Sequence, residues 1–188
     1  MSLLLIISSI LLRLLPHLPN FTPLGASALF SGANFNKKCS VIITMSALLI
    51  GDYLLLYVNP FSTKPFDFST IYSPIALFHS TTTFVYLSFL IYSLIGIWIS
   101  HKKSINRILL GSVIASLQFF LITNFGVWAT GMYGRGLDGL LQSYIMGLPF
   151  FKYTILGDLF YSTLFFGAYE IARKIIPKPK PALEVPIA

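Results

Sequence analysis

Long apolar runs cover most of this sequence, and they restrict the chain to folds in which such segments lie in lipid or against one another. A helix needs about 20 mostly apolar residues to cross a bilayer core of about 30 Å. By that measure the sequence contains six candidate spans, of which the first two are short: about 2–16, 22–36, 39–58, 80–100, 105–126 and 150–173. These runs predict an all-α integral membrane protein that folds as a six-helix transmembrane bundle.

Composition agrees with a membrane environment. Of the 188 residues, 55% are hydrophobic and only 10% are charged, and the mean hydropathy of +0.78 lies well above that of a soluble domain. The formal net charge is +7, but the basic residues lie in short clusters between apolar runs. Such clusters are typical of the cytoplasmic flanks of membrane helices, so we expect a membrane and no nucleic acid as partner.

The distribution of basic residues predicts the orientation of the chain. Nine of the 13 follow the second, fourth and sixth spans: Lys37, Lys38, Lys102, Lys103, Arg107, Arg173, Lys174, Lys178 and Lys180. The positive-inside rule places that side, and with it both termini, in the cytoplasm. We expect one transmembrane domain at residues 1–175 and a cytoplasmic tail rich in proline and lysine at residues 176–188, in the inner (plasma) membrane of a bacterium.

Residues 136–147, between spans five and six, have the pattern of a helix but are too short and too polar to cross a bilayer easily. If they crossed, the basic tail would move to the outer side, against the positive-inside rule. We therefore predict a short capping or re-entrant helix over the outer face.

The stretch LLPHLPNFTPLGA (residues 14–26) places three prolines and several polar side chains between the first two spans. One interpretation is a plain outer turn, in which the prolines end one helix and Thr22 begins the next. The other starts from the rule that broken backbone at membrane depth persists where it is buried in protein or lines a wet cavity. We favour this second interpretation, in which Arg13, His17, Asn20 and Thr22 line one outward-facing pocket.

Two aspartates, Asp52 and Asp158, each follow a glycine inside an apolar span. A carboxylate in hydrocarbon costs at least a few kcal/mol unless it has a partner. One interpretation is a structural ion pair between spans, and the other is contact with a ligand or cation. The basic groups near the outer half of the spans are Arg13 and Lys152, with His17 and His79 as alternatives.

The end of the fifth span is polar and aromatic. Asn124 lies inside the span and can both donate and accept hydrogen bonds, whereas Trp128 also fits an interfacial aromatic belt. An apolar cavity with a few polar groups is the usual composition of a small-molecule site. The predicted solute site therefore contains Arg13, His17, Asn20, Thr22, Asp52, Asn124, Trp128, Gln142, Tyr144 and Asp158.

In the second span, Ala28 and Gly32 have the spacing that lets another helix approach closely. That helix belongs either to this chain or to a separate subunit.

Motifs for several kinds of chemistry are missing from the sequence. It contains no phosphate-binding loop with the ATPase lysine, and its single cysteine, Cys39, excludes an internal disulfide and a cysteine-based metal cluster. The three histidines are scattered. We expect no cofactor, no metal site and no enzymatic activity, and we rank a membrane enzyme without a recognisable motif as the weakest alternative.

Several strings of this sequence resemble an uncharacterised family of small bacterial membrane proteins to which a transport role is ascribed. They follow in the same order: RLLPHLPNFTPLGA (13–26), ALFSGA (28–33), TNFGVW (123–128), LPFF (148–151) and GD (157–158). The resemblance covers nearly the whole chain. That family in turn resembles the substrate-binding S components of energy-coupling factor transporters, which have six helices and no ATPase motif.

The resemblance implies a membrane subunit that binds a vitamin-like or other small solute from outside. Transport would then require a transmembrane coupling subunit and ATPases from other chains. Ala28 and Gly32 are the nearest match to the small residues that dock S components on the coupling subunit, although here they lie on the second span rather than the first. The alternative is a structural or accessory subunit of a larger membrane complex.

Overall fold

The computed structural model describes residues 2–64, 66–68, 72 and 78–175, and the secondary-structure elements in these ranges are α-helices. The helices are α1 (Ser2–Leu14), α2 (Leu24–Asn34), α3 (Lys37–Leu55), α4 (Thr82–Ser100), α5 (Ile105–Ala129) and α6 (Leu137–Ile175). The predicted all-α class is confirmed over the described ranges. The predicted tail at 176–188 lies outside them.

Of the six helices in the described ranges, three, α3, α4 and α5, are long and apolar enough to cross a membrane. At 1.5 Å per residue, α1 and α2 extend only about 20 Å and about 17 Å, less than the ~30 Å of a bilayer core. α6 has 39 residues but carries several charged side chains. The described residues thus form as many helices as there are predicted spans, and three of these helices have the length and composition needed to cross a membrane.

The segment predicted as a separate capping or re-entrant helix is instead the beginning of α6. This helix continues through Pro149 without interruption, and its first turns lie antiparallel to the end of α5. The Tyr144 hydroxyl donates to the Leu121 carbonyl at 3.0 Å, and Gly147 brings α6 against the amide of Asn124. The prediction was wrong because contacts with α5, which hydropathy does not register, extend the helix at its polar end.

The shortest helix, α2, lies at the centre of the bundle. Every residue from Leu24 to Ala33 is buried, because α2 packs against α3, α4 and α6 at once. Its sequence, LGASALFSGAN, contains small residues that allow this close packing.

The small-residue pair predicted to dock a partner lies inside this core. Ala28 is fully buried, and Gly32 lies directly against Gly96 of α4. The neighbouring helix is thus one of this chain, the first of the two alternatives. Neither residue offers a surface to a separate coupling subunit, which corrects the docking assignment.

Buried hydroxyl groups connect the helices across the interior. Ser31 of α2 lies 3.1 Å from the hydroxyl of Ser40 and 3.3 Å from that of Thr44, and Thr44 lies 2.9 Å from the hydroxyl of Ser93. A second link joins α5 to α6, where Ser112 donates to Ser162 at 2.9 Å. Each link gives a buried polar group its partner and so avoids the cost of an unsatisfied one.

The two ends of the bundle differ in charge. α2, α4 and α6 run towards an end that carries the basic clusters, where the Lys103 ammonium donates to Asn34 at 2.8 Å. α3 and α5 run the opposite way. The other end contains the 15–23 turn and the ends of α1, α3 and α5, and the candidate site lies there.

Candidate functional site

A cavity of about 220 Å³ lies beyond the N-terminus of α2, between α3, α4, α5 and α6. It exists because α2 is much shorter than the helices around it, so their remaining length encloses space that α2 does not fill. The described residues that line it are Arg13, Asn20, Thr22, Leu24, Gly25, Leu48, Asp52, His79, Thr82, Val85, Tyr86, Phe89, Tyr92, Phe119, Thr154 and Asp158.

One wall of the cavity is an ion pair between α1 and α3. The Arg13 guanidinium lies 2.6 Å from Oδ1 of Asp52, and both side chains are about four-fifths buried. The Tyr86 hydroxyl donates to Oδ2 of Asp52 at 3.0 Å. Gly51 leaves room for the arginine, since a Cβ there would lie 2.9 Å from the guanidinium nitrogen. Asp52 therefore has the structural ion pair that was one of the two predicted roles.

Asp158 has a different environment, without a basic partner among the described residues. Its side chain is buried, with 3% of the residue exposed. Oδ2 accepts hydrogen bonds from the Tyr92 hydroxyl at 2.5 Å and from the Ser116 hydroxyl at 2.7 Å. Of the two interpretations of Asp158, the ion pair is therefore not formed among the described residues, and hydroxyls from α4 and α5 take its place.

The second oxygen of Asp158 points at the beginning of α2. Oδ1 lies against Gly25, where a Cβ atom would collide with it. The N-terminal turn of a helix has free N–H groups and a partial positive charge, which favour a nearby carboxylate. Among the described residues no side chain or backbone group donates a hydrogen bond to Oδ1, so this oxygen keeps its acceptor capacity beside the cavity.

Another part of the cavity wall is aromatic. Phe89 stacks on Tyr92 with their ring centroids 5.2 Å apart, and Phe119 meets Phe89 edge to face at 5.6 Å. Such pairs are rigid and contribute about 0.5–1.5 kcal/mol beyond their burial. The cavity thus combines a flat apolar surface with a few fixed polar groups.

The proline-rich turn closes the cavity at the outer end of α2. Asn20 adopts a left-handed conformation, with φ of 64°, and its amide makes no hydrogen bond to the rest of the described chain. It lines the cavity beyond α2 (the main cavity) and two neighbouring cavities of about 230 Å³ each. Asn20 and Thr22 therefore line a cavity, as the second interpretation of the proline-rich turn predicts.

His17 belongs to the neighbouring cavity formed with residues 55–61 rather than to the main one. Its backbone N–H donates to the Pro60 carbonyl at 3.2 Å, and its Nδ1 lies 2.7 Å from the Leu15 carbonyl. Burial is the main cause that lowers the pKa of His17, and the charge of Arg13 lowers it further.

The structure separates the other predicted site residues. Asn124 lines the second neighbouring cavity, together with Phe120 and Phe151, and its own amide donates to the Phe120 carbonyl. Trp128 donates to the Gly136 carbonyl at 3.1 Å and so fixes the α5–α6 turn. Gln142 is exposed, and Tyr144 bonds the α5 backbone. None of the last three lines the main cavity.

Sequence reasoning missed the aromatic residues of α4. Tyr86, Phe89 and Tyr92 follow one another at intervals of three, which places them on one face of a helix. That spacing could have identified them as site residues from the sequence. Nothing in the sequence marks Ser116, because serine on an apolar helix normally bonds its own backbone.

Among the residues that the structure describes, no three histidine, cysteine, aspartate or glutamate side chains form a group that could hold a metal ion. The polar groups that line the cavity can form hydrogen bonds and ion pairs.

Comparison with known proteins gives a family but no activity. No curated protein and no solved structure matches the chain. A sequence model of a family of unknown function matches residues 1–181. That family's description names no transport role, so the likeness to transport proteins and to S components stays a prediction. Because the match extends over nearly the whole sequence, the chain belongs to the family of unknown function DUF6580.

Proposed function

We propose that this protein is a membrane-embedded subunit that binds a small solute in the cavity beyond α2, for delivery by a transporter. The observation that carries the proposal is Asp158, a buried carboxylate with one oxygen bonded by two hydroxyls and the other free to accept, at the edge of a cavity of about 220 Å³. Most buried polar atoms have a hydrogen-bond partner, so the oxygen without one is a candidate contact for a bound solute.

The charge distribution supports a cavity that opens to the outside. Three helices are suited to a membrane, and the basic clusters lie at the end of the bundle opposite to the cavity. By the positive-inside rule that end faces the cytoplasm, with both termini there. The protein would then lie in the inner membrane of a bacterium and take its solute from the outer side.

Transport from such a site needs partners. The sequence carries no ATP-binding loop, and the resemblance to S components implies a transmembrane coupling subunit and ATPases on other chains. Because Ala28 and Gly32 are buried, a coupling subunit would have to bind an outer helix face.

The test is native mass spectrometry of the protein extracted gently from its host membrane. We expect a reproducible small-molecule adduct that is lost in Asn20→Gly, a change that removes the amide but keeps the left-handed backbone accessible. Gln142→Ala is the matched control, since this exposed side chain lies outside the main cavity, and it should retain the adduct. Absence of any adduct from the wild-type protein would contradict the proposal.

A structural or accessory subunit is the second candidate, and the Arg13–Asp52–Tyr86 cluster favours it. Its charges are paired within the chain, since Arg13 lies 2.6 Å from Asp52 and Tyr86 donates to the same carboxylate, and such pairing is typical of a structural role. A stable complex with subunits that are not ATPases, in a spectrum without an adduct, would support this second function.

A further inference from the structure

We propose that the solute is a small organic cation, an amine or other protonated nitrogen with a flat apolar body, held by Oδ1 of Asp158. This inference rests on the proposed function and specifies its substrate class.

The geometry of Asp158 favours a hydrogen-bond donor in the cavity. Its two hydroxyl donors, Tyr92 and Ser116, both bond Oδ2. Oδ1 is left beside Gly25, one of the residues that line the cavity. A carboxylate oxygen accepts but does not donate, so the group that completes it must be a donor. An ammonium or ring N–H in the cavity supplies such a donor, and a carboxylate or phosphate does not.

The charge of the cavity wall favours a cation. Its fixed charges, among the described lining residues, are those of Arg13, Asp52 and Asp158. Arg13 and Asp52 neutralise each other at 2.6 Å. His79 is exposed and shares a hydrogen bond with Thr81 at 3.0 Å. The wall thus has an excess of one negative charge whenever Asp158 is ionised, and a monocation complements it.

The beginning of α2 offsets part of this charge but does not reverse it. A helix terminus is equivalent to roughly half an elementary charge, and Asp158 already occupies the position in front of it. An anionic solute would have to displace the carboxylate from the helix or lie beside it. Both arrangements are unfavourable in a partly buried site.

The aromatic residues of the cavity favour a flat apolar body for the solute. Phe89, Tyr92 and Phe119 present aromatic surfaces to the same cavity. Such rings pack against flat apolar groups and also attract cations over their faces. A volume of about 220 Å³ lies below the range of about 300–1,000 Å³ that accommodates drug-sized molecules. The solute is therefore smaller than a typical drug.

Three probes of nearly equal size separate these requirements: benzylamine, benzyl alcohol and benzoate, which carry a cationic, a neutral and an anionic group on the same ring. Binding is measured by calorimetry on the full chain in lipid nanodiscs, with empty nanodiscs as the blank. We expect benzylamine to bind at least about tenfold more tightly than benzyl alcohol and benzoate not to bind. Equal affinity for benzylamine and benzyl alcohol, or a preference for benzoate, would overturn the inference.

Two variants assign the effect to Asp158. Asp158→Asn should abolish the preference for benzylamine, whereas Thr163→Ala, an exposed position on the same helix, should preserve it. If Asp158→Asn does not fold, the ranking of the three probes on the wild-type protein decides.

The composition of the adduct in the native spectrum separates this inference from the proposed function. A nitrogen-containing cation supports both. An acidic or nitrogen-free solute that depends on Asn20 overturns the substrate class and leaves the solute-binding function standing. If the wild-type protein carries no adduct at all, the proposed solute-binding function itself is wrong.

Discussion

Gly32 of α2 and Gly96 of α4 face each other so closely that each helix occupies the position of the other's missing side chain. A Cβ atom on Gly32 would lie 2.8 Å from Cα of Gly96, and one on Gly96 would lie 2.9 Å from Cα of Gly32. Real Cβ atoms do not come that near to backbone. This contact holds α2 in the centre of the bundle, and the position of α2 in turn defines the floor of the cavity.

Gly96→Ala should destabilise the fold, because the added methyl group would collide with the backbone of α2 at Leu29 and Gly32. Overpacking of this kind costs about 1–3 kcal/mol of the free energy of unfolding. Gly167→Ala is the control, since no atom lies within 4 Å of a Cβ there, and alanine in a helix should stabilise by about 0.5–1 kcal/mol. Denaturant titration in detergent micelles measures both. Equal stability of the two variants would contradict the close contact.

The Arg13–Asp52 pair should show coupling in a double-mutant cycle. Arg13→Gln and Asp52→Asn each leave a largely buried charge without its partner at 2.6 Å, so each should be destabilising. The double variant removes both charges and should recover part of the loss, with a coupling energy of about 0.5–3 kcal/mol. The same unfolding titration on the four proteins gives this energy. Additive effects of the two changes would mean that the pair contributes nothing measurable.

Two substitutions of Asn20 should separate an effect on folding from an effect on solute binding. At φ of 64°, glycine is unstrained, whereas alanine costs about 1–2 kcal/mol in the left-handed region. Asn20→Ala should therefore unfold at lower denaturant concentration than Asn20→Gly, while both lose the amide and with it the bound solute. Comparison of unfolding midpoints and adduct occupancy tests the two effects separately. An alanine variant as stable as the glycine variant would argue against the left-handed backbone.

His17 should make stability depend on pH. Burial holds the pKa of its imidazole below the ordinary value of 6.5, so the unfolded chain takes up a proton before the folded one does. The contribution of neutral His17 is therefore complete above pH 6.5 and is lost as the pH falls through the lowered pKa. Unfolding titrations at several pH values, for the wild type and for His17→Gln, measure the difference. A variant with the same pH dependence would show that His17 is not the group responsible.

The contrast between the two aspartates shows how far the sequence predicts the site. A carboxylate inside an apolar run needs a partner, and Arg13 was among the few groups available to Asp52, so the ion pair was predictable as one of two alternatives. The partners of Asp158 were not predictable. Tyr92 and Ser116 precede it by 66 and 42 residues, and a hydroxyl on an apolar helix has many possible acceptors.

The sequence by itself determined the helical class, the positions of α3, α4 and α5, and the clusters of positive charge, because each follows from the local distribution of apolar and basic residues. The tertiary structure decided that α2 lies at the centre, that residues 137–147 continue into α6, and that Ala28 and Gly32 are buried. Those features depend on which helices can approach each other closely. The tertiary structure also decided the cavity, since it is the space that the longer neighbouring helices enclose beyond the end of the short central helix α2.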